Sequence, residues 1–154
     1  MNREPLTVNH AMQDCVFCKI INGELPAVKI FEDNDSIAFM DIGPIVKGHL
    51  LVIPKEHYAN LADTPAEILV KLIAVVKKIA AAQKKALQAD GVNIMQSNGR
   101  AAGQLVDHIH FHVIPRFISD GHHWNWHPQK YADSTEMQVF GDKIKKNLIS
   151  HGEE

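Results

Sequence analysis

Three histidines separated by single residues stand in the stretch Asp107-His108-Ile109-His110-Phe111-His112-Val113-Ile114-Pro115-Arg116. Imidazole titrates near neutrality, so at physiological pH it can attack, accept a proton or donate one. The alternation of histidine with apolar residues has a period of two. It predicts a β-strand with Ile109, Phe111 and Val113 toward a core and the histidines on the other face. Neighbouring histidine Cα atoms would then lie ~6.6 Å apart and the outer two ~13 Å apart. Zinc needs each nitrogen at about 2.0 to 2.1 Å, so two adjacent members could chelate but three cannot easily converge. Divided roles follow, one imidazole attacking while another handles a proton. Surface decoration is the competing explanation, and core residues on both sides of each histidine argue against it.

Other residues could serve the same chemistry. In the loop Asn98-Gly99-Arg100-Ala101-Ala102-Gly103-Gln104, Asn98 and Gln104 offer amide donors. Backbone N–H groups at Gly99 and Gly103 can approach phosphate oxygens with no Cβ in the way. Cys15-Val16-Phe17-Cys18 admits a metal site, a reduced dithiol or a redox pair. The redox pair lacks the βαβ context it would need, and zinc would need two further ligands. The segment His122 to His127 fits a plain loop, a flap over a ligand or a second metal site.

The elements that must position these groups are legible from periodicity. A short helix is expected over Cys15 to Asn22, stopped by Gly23, then strands over Val28 to Glu32, Ser36 to Asp41 and His49 to Pro54. The main helix should start at Thr64, with Pro65 in its first turn and Glu67 completing a capping box, and end at Gly91. Ile68, Leu72, Val75, Val76 and Ile79 form its apolar face. A fourth strand over Val92 to Gln96, the triad strand and a final amphipathic helix over Thr135 to Ile149 complete an α+β chain with a mostly antiparallel five-stranded sheet. Residues 1–14 are expected to be a loose leader and 15–154 one domain, variable from about residue 117.

The chain has 154 residues, 45% of them hydrophobic, and a formal net charge of -2, with a pI near 6.5. This suits one globular domain and gives no electrostatic basis for binding a nucleic-acid polymer. No apolar run approaches the ~20 residues that span a bilayer, so a cytoplasmic protein with a small-molecule partner is expected.

The triad, together with Phe39-Met40-Asp41-Ile42, Lys47-Gly48-His49-Leu50-Leu51-Val52-Ile53-Pro54-Lys55-Glu56-His57 and the Asn98 to Gln104 loop, resembles the histidine triad (HIT) superfamily of nucleotide hydrolases and transferases. The resemblance covers roughly Cys15 to Arg116. It implies a HIT-like fold, usually dimeric, and cleavage at a nucleoside α-phosphate, of a phosphoramidate or dinucleoside polyphosphate, through a covalent nucleotidyl-histidine. It implies catalytic roles for His110 as nucleophile, His112, His49 and Gln104. Nucleotide contacts, to a purine by preference, fall to Asp41 at the ribose hydroxyls and to Phe17, Ile20, Phe39, Ile42, Leu51, Asn98 and Gly103. The zinc-bearing branch of the family implies a structural zinc on Cys15, Cys18, His57 and His108. Leu105 departs from the pattern, since many phosphoramidate hydrolases of the family carry a hydroxyl residue there. Two other classes remain open: a nucleotide-binding regulatory or scaffold protein with incidental hydrolysis, and a metal-dependent hydrolase using a His-x-His chelate. The second suffers from having no carboxylate expected beside the triad.

Overall fold

The computed structural model describes residues 14–124 and 127–148. The expected leader, apart from Asp14, therefore lies outside the described residues, as do Asn125 and Trp126 of the His122 to His127 segment. The chain divides into two compact units, one through His122 and one from His123 onward.

The first unit contains α1 (Val16–Ile21), β1 (Lys29–Glu32), β2 (Ser36–Met40), β3 (Leu50–Pro54), α2 (Ala66–Leu87), β4 (Gly91–Gln96) and β5 (Phe111–Arg116). The strands form one wholly antiparallel sheet in the order β1-β2-β3-β5-β4. The expected α+β architecture is present. Register then assigns the faces. Leu50 pairs with Val113 and Val52 with Phe111, whereas Leu51 pairs with both Phe39 and His112. Side chains alternate along a strand, so Leu50, Val52, Phe111 and Val113 share one face. There they pack with Ile109 against Leu72, Val75, Val76 and Ile79 of α2. The opposite face carries Ile37, Phe39, Leu51 and Ile53 against Cys15, Phe17, Cys18 and Ile20 of the short α1 segment.

A buried polar staple holds α2 to the strands. Gln83 Nε2 donates to the carbonyls of Gly48 at 2.8 Å and Val113 at 2.9 Å. Gly48 has φ +100°, and a Cβ there would sit 2.5 Å from Leu87 Cδ1 and 3.2 Å from Pro115 Cγ. Only glycine combines that backbone with so close an approach, which fixes the turn that delivers His49 to the sheet.

Three local expectations change. Regular strand begins at Phe111, so His108 and His110 precede β5. Pairing with β3 stops near Pro54, which has no N–H to donate. Its carbonyl accepts from His108 Nε2 at 2.9 Å instead, and the Ile109 N–H goes to the Tyr58 carbonyl at 2.7 Å. The alternation of faces survives this departure, with Ile109 in the α2 core. The capping box does not form: Thr64 Oγ1 donates to the Asn60 carbonyl at 2.7 Å, and α2 starts after Pro65 without a side-chain cap. The helix also ends earlier, on a left-handed Gln88 at φ 53°, which leaves Gly91 free to open β4.

The second unit is built on α3 (Ser134–Lys146), capped by the Asp133 carboxylate, which accepts from the Glu136 N–H at 2.9 Å. Tyr131 stacks obliquely on Phe140 with centroids 5.8 Å apart. The apolar stripe expected there, Met137, Phe140, Ile144 and Leu148, is exposed.

Candidate active site and metal cluster

His110 and His112 line a cavity of about 550 Å³ with Phe17, Ile20, Phe39, Asp41, Ile42, Leu51 and Gly103. Thus β2, β3, β5, α1 and the loop before β5 deliver the expected residues to one place. Phe17, Ile20, Phe39 and Leu51 are buried, whereas the Ile42 side chain stands fully exposed at the rim.

Hydrogen bonds settle which nitrogen of each ring carries the proton, since a carbonyl can only accept and a backbone N–H can only donate. The Ile45 N–H donates to His49 Nδ1 at 3.2 Å, so neutral His49 carries its proton on Nε2. That nitrogen lies 2.9 Å from His112 Nδ1, and His112 in turn keeps its proton on Nε2. His110 Nδ1 lies 2.7 Å from the His108 carbonyl and must donate to it, leaving a lone pair on Nε2. One ring thus offers a nucleophile and its neighbour an N–H. Their centroids are 4.9 Å apart.

Burial disfavours the charged forms of His49 and His112. Burial brings His112 down to about 4, reinforced by the neighbouring His110 and His49 and opposed by Asp41. His49 is lowered by burial, with Asp41 opposing and His110 adding to the effect. Asp41 Oδ2 lies 3.6 Å from His49 Nε2, and its other oxygen accepts from the Gly43 N–H at 2.8 Å. A carboxylate therefore does stand beside the triad, supplied by the residue that follows β2, where the local sequence around the histidines gave no sign of it. Asp41, His49 and His112 could group around a cation. However, the 2.9 Å between the two imidazoles is a proton-sharing distance, shorter than the ~3.3 Å between nitrogens on a tetrahedral ion.

The loop residues are already engaged. Gln104 is buried, donates from Nε2 to the Ala59 carbonyl at 2.6 Å and the Val106 carbonyl at 3.0 Å, and accepts the Gly99 N–H at 2.8 Å. The Gly103 N–H goes to the Arg100 carbonyl. Neither glycine N–H is turned to a phosphate here; the loop consumes both. Asn98 joins Leu61 and Gln96 and is not among the cavity-lining residues. These groups brace the segment that leads into His108. Sequence reasoning missed Val16, Leu25, Pro26, Ala27, Met40 and Val106 on the cavity wall. Val16, inside the cysteine pair, and Met40, inside Phe39-Met40-Asp41-Ile42, sat in motifs that could have flagged them.

Cys15, Cys18, His57 and His108 converge, with all four ligating atoms within 4.8 Å of one another. His108 Nδ1 lies 3.5 Å from Cys15 Sγ and 3.6 Å from Cys18 Sγ, and His57 Nδ1 lies 3.3 Å from Cys18 Sγ. Tetrahedral zinc with its usual bond lengths would place such atoms about 3.4 to 3.8 Å apart. The tautomer fits as well: the His108 proton is used at Nε2 for the Pro54 carbonyl, which frees Nδ1 as a ligand. Burial pushes the Cys18 thiol up to about 12, the hydrogen bond and charge of Cys15 adding to it. A dication at this point reverses that preference, because it binds thiolate.

The lowered histidines bear on stability. Between pH 6.5 and about 4 the unfolded chain binds a proton at residue 112 that the folded chain refuses, so stability must fall as pH drops through that window. Urea unfolding of the protein should lose ~2 kcal/mol more between pH 7 and 4.5 than unfolding of His112→Asn. Parallel pH profiles for the two proteins would contradict the burial of a neutral imidazole there.

Residues 22–118 match the HIT domain family. The adenosine 5'-monophosphoramidase HNT1 of Saccharomyces cerevisiae is 46% identical over 147 residues, 95% of this chain and 85% of that protein. The crystal structure of a HIT family protein from Bacillus subtilis aligns with a TM-score of 0.81 and 39% identity, over 89% of this chain and 99% of its own. A zinc-bound histidine triad family protein from Mycobacterium smegmatis aligns with a TM-score of 0.70 and 38% identity, over 89% of this chain and 99% of its own. With the family match spanning all five strands and His110 and His112 set in one cavity, this chain belongs to the HIT family.

Proposed function

We propose that the protein is a nucleotide hydrolase or nucleotidyl transferase that cleaves at a nucleoside α-phosphate through a covalent intermediate on His110. The observation that carries this is the 2.7 Å bond from His110 Nδ1 to the His108 carbonyl, which leaves the Nε2 lone pair on a ring that lines the cavity. Attack on phosphorus forms a nucleotidyl-histidine and splits one hard displacement into two easier ones. The positive charge that develops on the ring is met by the carbonyl at Nδ1. His112 presents its Nε2–H to a phosphate oxygen or to the leaving atom. Water then attacks phosphorus, releasing nucleoside monophosphate and restoring His110; an acceptor other than water gives transfer. The phosphoramidase activity named for the yeast relative supports a phosphoramidate as substrate.

Asp41, at the cavity wall, would accept from ribose hydroxyls. The apolar wall of Phe17, Ile20, Phe39 and Leu51, in a cavity of about 550 Å³, suits a purine. Leu105 is 81% exposed at the rim, so the leaving group meets an aliphatic side chain at that point. A purely regulatory nucleotide-binding role has no use for the tautomer pattern of His49, His110 and His112. Free cysteines at a metal-binding geometry fit the reducing cytoplasm, and among the described residues no helix is long and apolar enough to cross a membrane.

Replacing His110 by Ala should cost at least ~10³-fold in turnover, about 4 kcal/mol of barrier. Wild-type protein quenched under mildly alkaline denaturing conditions should carry a nucleotidyl group on His110 by mass spectrometry. An active Ala variant with no adduct on the wild type defeats the covalent mechanism. His112→Asn should slow poor leaving groups more than good ones.

The cluster of Cys15, Cys18, His57 and His108 is assigned to zinc in a structural role, since four side chains close the coordination and leave no position for substrate. The zinc-bound relative supports the choice of ion. Untagged protein should contain close to one equivalent of zinc, and Cys18→Ser should lose both the ion and thermal stability. Less than about a tenth of an equivalent in the unaltered protein would count against it, because a closed site holds its ion tightly.

Two copies are proposed to pair. β4 is an edge strand with a half-exposed Ile94, and α2 shows Val70 and Ile73 to the outside; pairing would cover both. Light scattering at micromolar concentration should give twice the chain mass, and a monomer there rejects the pairing.

A further inference from the structure

Cys15-Val16-Phe17-Cys18 belongs to two sites at once. Its cysteines supply half of the four-ligand cluster, while Val16 and Phe17 between them line the catalytic cavity. Phe17 is buried, meets the His110 ring edge-on with centroids 5.2 Å apart, and meets the His108 ring at 5.9 Å. A second link runs through His108 itself. Its Nδ1 faces both thiols, and its carbonyl accepts the proton that sets the His110 tautomer. An ion held by the four ligands would fix the placement of Cys15, Cys18 and His108, and with them the Phe17 ring and the His108 carbonyl. Second contacts of this kind commonly orient reactive groups.

We propose that the metal cluster and the nucleotide cavity are one thermodynamic unit, with Phe17 as the positioning residue between them. Metal binding then raises affinity for nucleotide, and nucleotide raises affinity for the metal by the same factor, as linkage requires. A cluster that merely stapled the fold would stabilise the protein and leave the two affinities independent. The inference rests on the nucleotide reading above.

The test is competition of the full chain for zinc against a chromogenic chelator, with and without saturating adenosine 5'-monophosphate, the nucleotide's own chelation being measured without protein. Nucleotide should tighten zinc binding by roughly tenfold, and the metal-loaded protein should bind nucleotide more tightly than the metal-free protein by the same ratio. Phe17→Leu keeps most of the volume but loses the edge contact; it should still bind both ligands, with the coupling cut to about twofold or less. Should the Leu variant fail to fold by circular dichroism, Phe17→Met takes its place. Nucleotide binding to the loaded protein with unchanged zinc affinity overturns the coupling while leaving the nucleotide reading intact. Coupling undiminished in the Phe17 variant overturns the role of Phe17. Protein that binds no zinc overturns the inference outright, and loaded protein that binds no nucleotide removes the reading on which it rests.

Discussion

Burying imidazole without burying charge is the constraint on which this molecule turns. His49, His108 and His110 are buried just ahead of β3 and β5, and His112, in β5, is half-buried. An isolated imidazolium in such a place would carry a desolvation penalty of several kcal/mol, so burial lowers His49, His108 and His112 and favours their neutral forms. Neutrality then makes each ring nitrogen a distinct group that needs its own partner. The Ile45 N–H, the His49 to His112 contact and the carbonyls of His108 and Pro54 supply those partners. His49, His108 and His110 cannot exchange donor for acceptor without breaking a bond to the backbone, and His112 is tied to the choice made by His49.

The same constraint prepares chemistry. A nucleophilic nitrogen is useful only when its lone pair is free, and at neutral pH an exposed histidine of ordinary pKa near 6.5 is protonated part of the time. The 2.7 Å bond from His110 Nδ1 to the His108 carbonyl fixes the tautomer of the neutral ring, so its lone pair lies on Nε2. In the proposed reaction a phosphate entering the cavity would meet the Nε2–H of His112 beside the Nε2 lone pair of His110.

Much of this was legible in the sequence because the relevant signals are local. Alternation placed Ile109, Phe111 and Val113 in one core and the histidines opposite, and the helix α2 face read correctly at Leu72, Val75, Val76 and Ile79. What was not legible depends on partners distant in the chain. Thr64 has the right spacing for a capping box with Glu67, yet the Asn60 carbonyl competes for its hydroxyl and wins. Strand character at His108 was expected from periodicity, but the pairing strand runs out at a proline whose carbonyl takes a side chain. Gln104 and Gly103 looked like free donors because a sequence does not show the carbonyls of Ala59, Val106 and Arg100 that occupy them. Asp41 reaches the triad only because β2 and β3 pair in one register.

The sheet is also covered unequally, and that inequality makes the cavity. One face lies under α2, 22 residues long, which fills its side of the core. The other lies under α1, only 6 residues long, so among the described residues of the first unit part of that face has no helix over it. Phe17, Ile20, Phe39 and Leu51 are consequently core residues and cavity walls at once. Whether such apolar residues belong to a core or to a binding site has no single answer here, because the same layer serves as both. Lengthening α1 would bury more apolar surface and stabilise the fold, at about 25 cal/mol per Å², but it would fill the space proposed for a base. Stability left ungained on that face is the counterpart of a site open to ligand, and it explains why the short helix needs anchoring by side chains at its first turn instead of by its length.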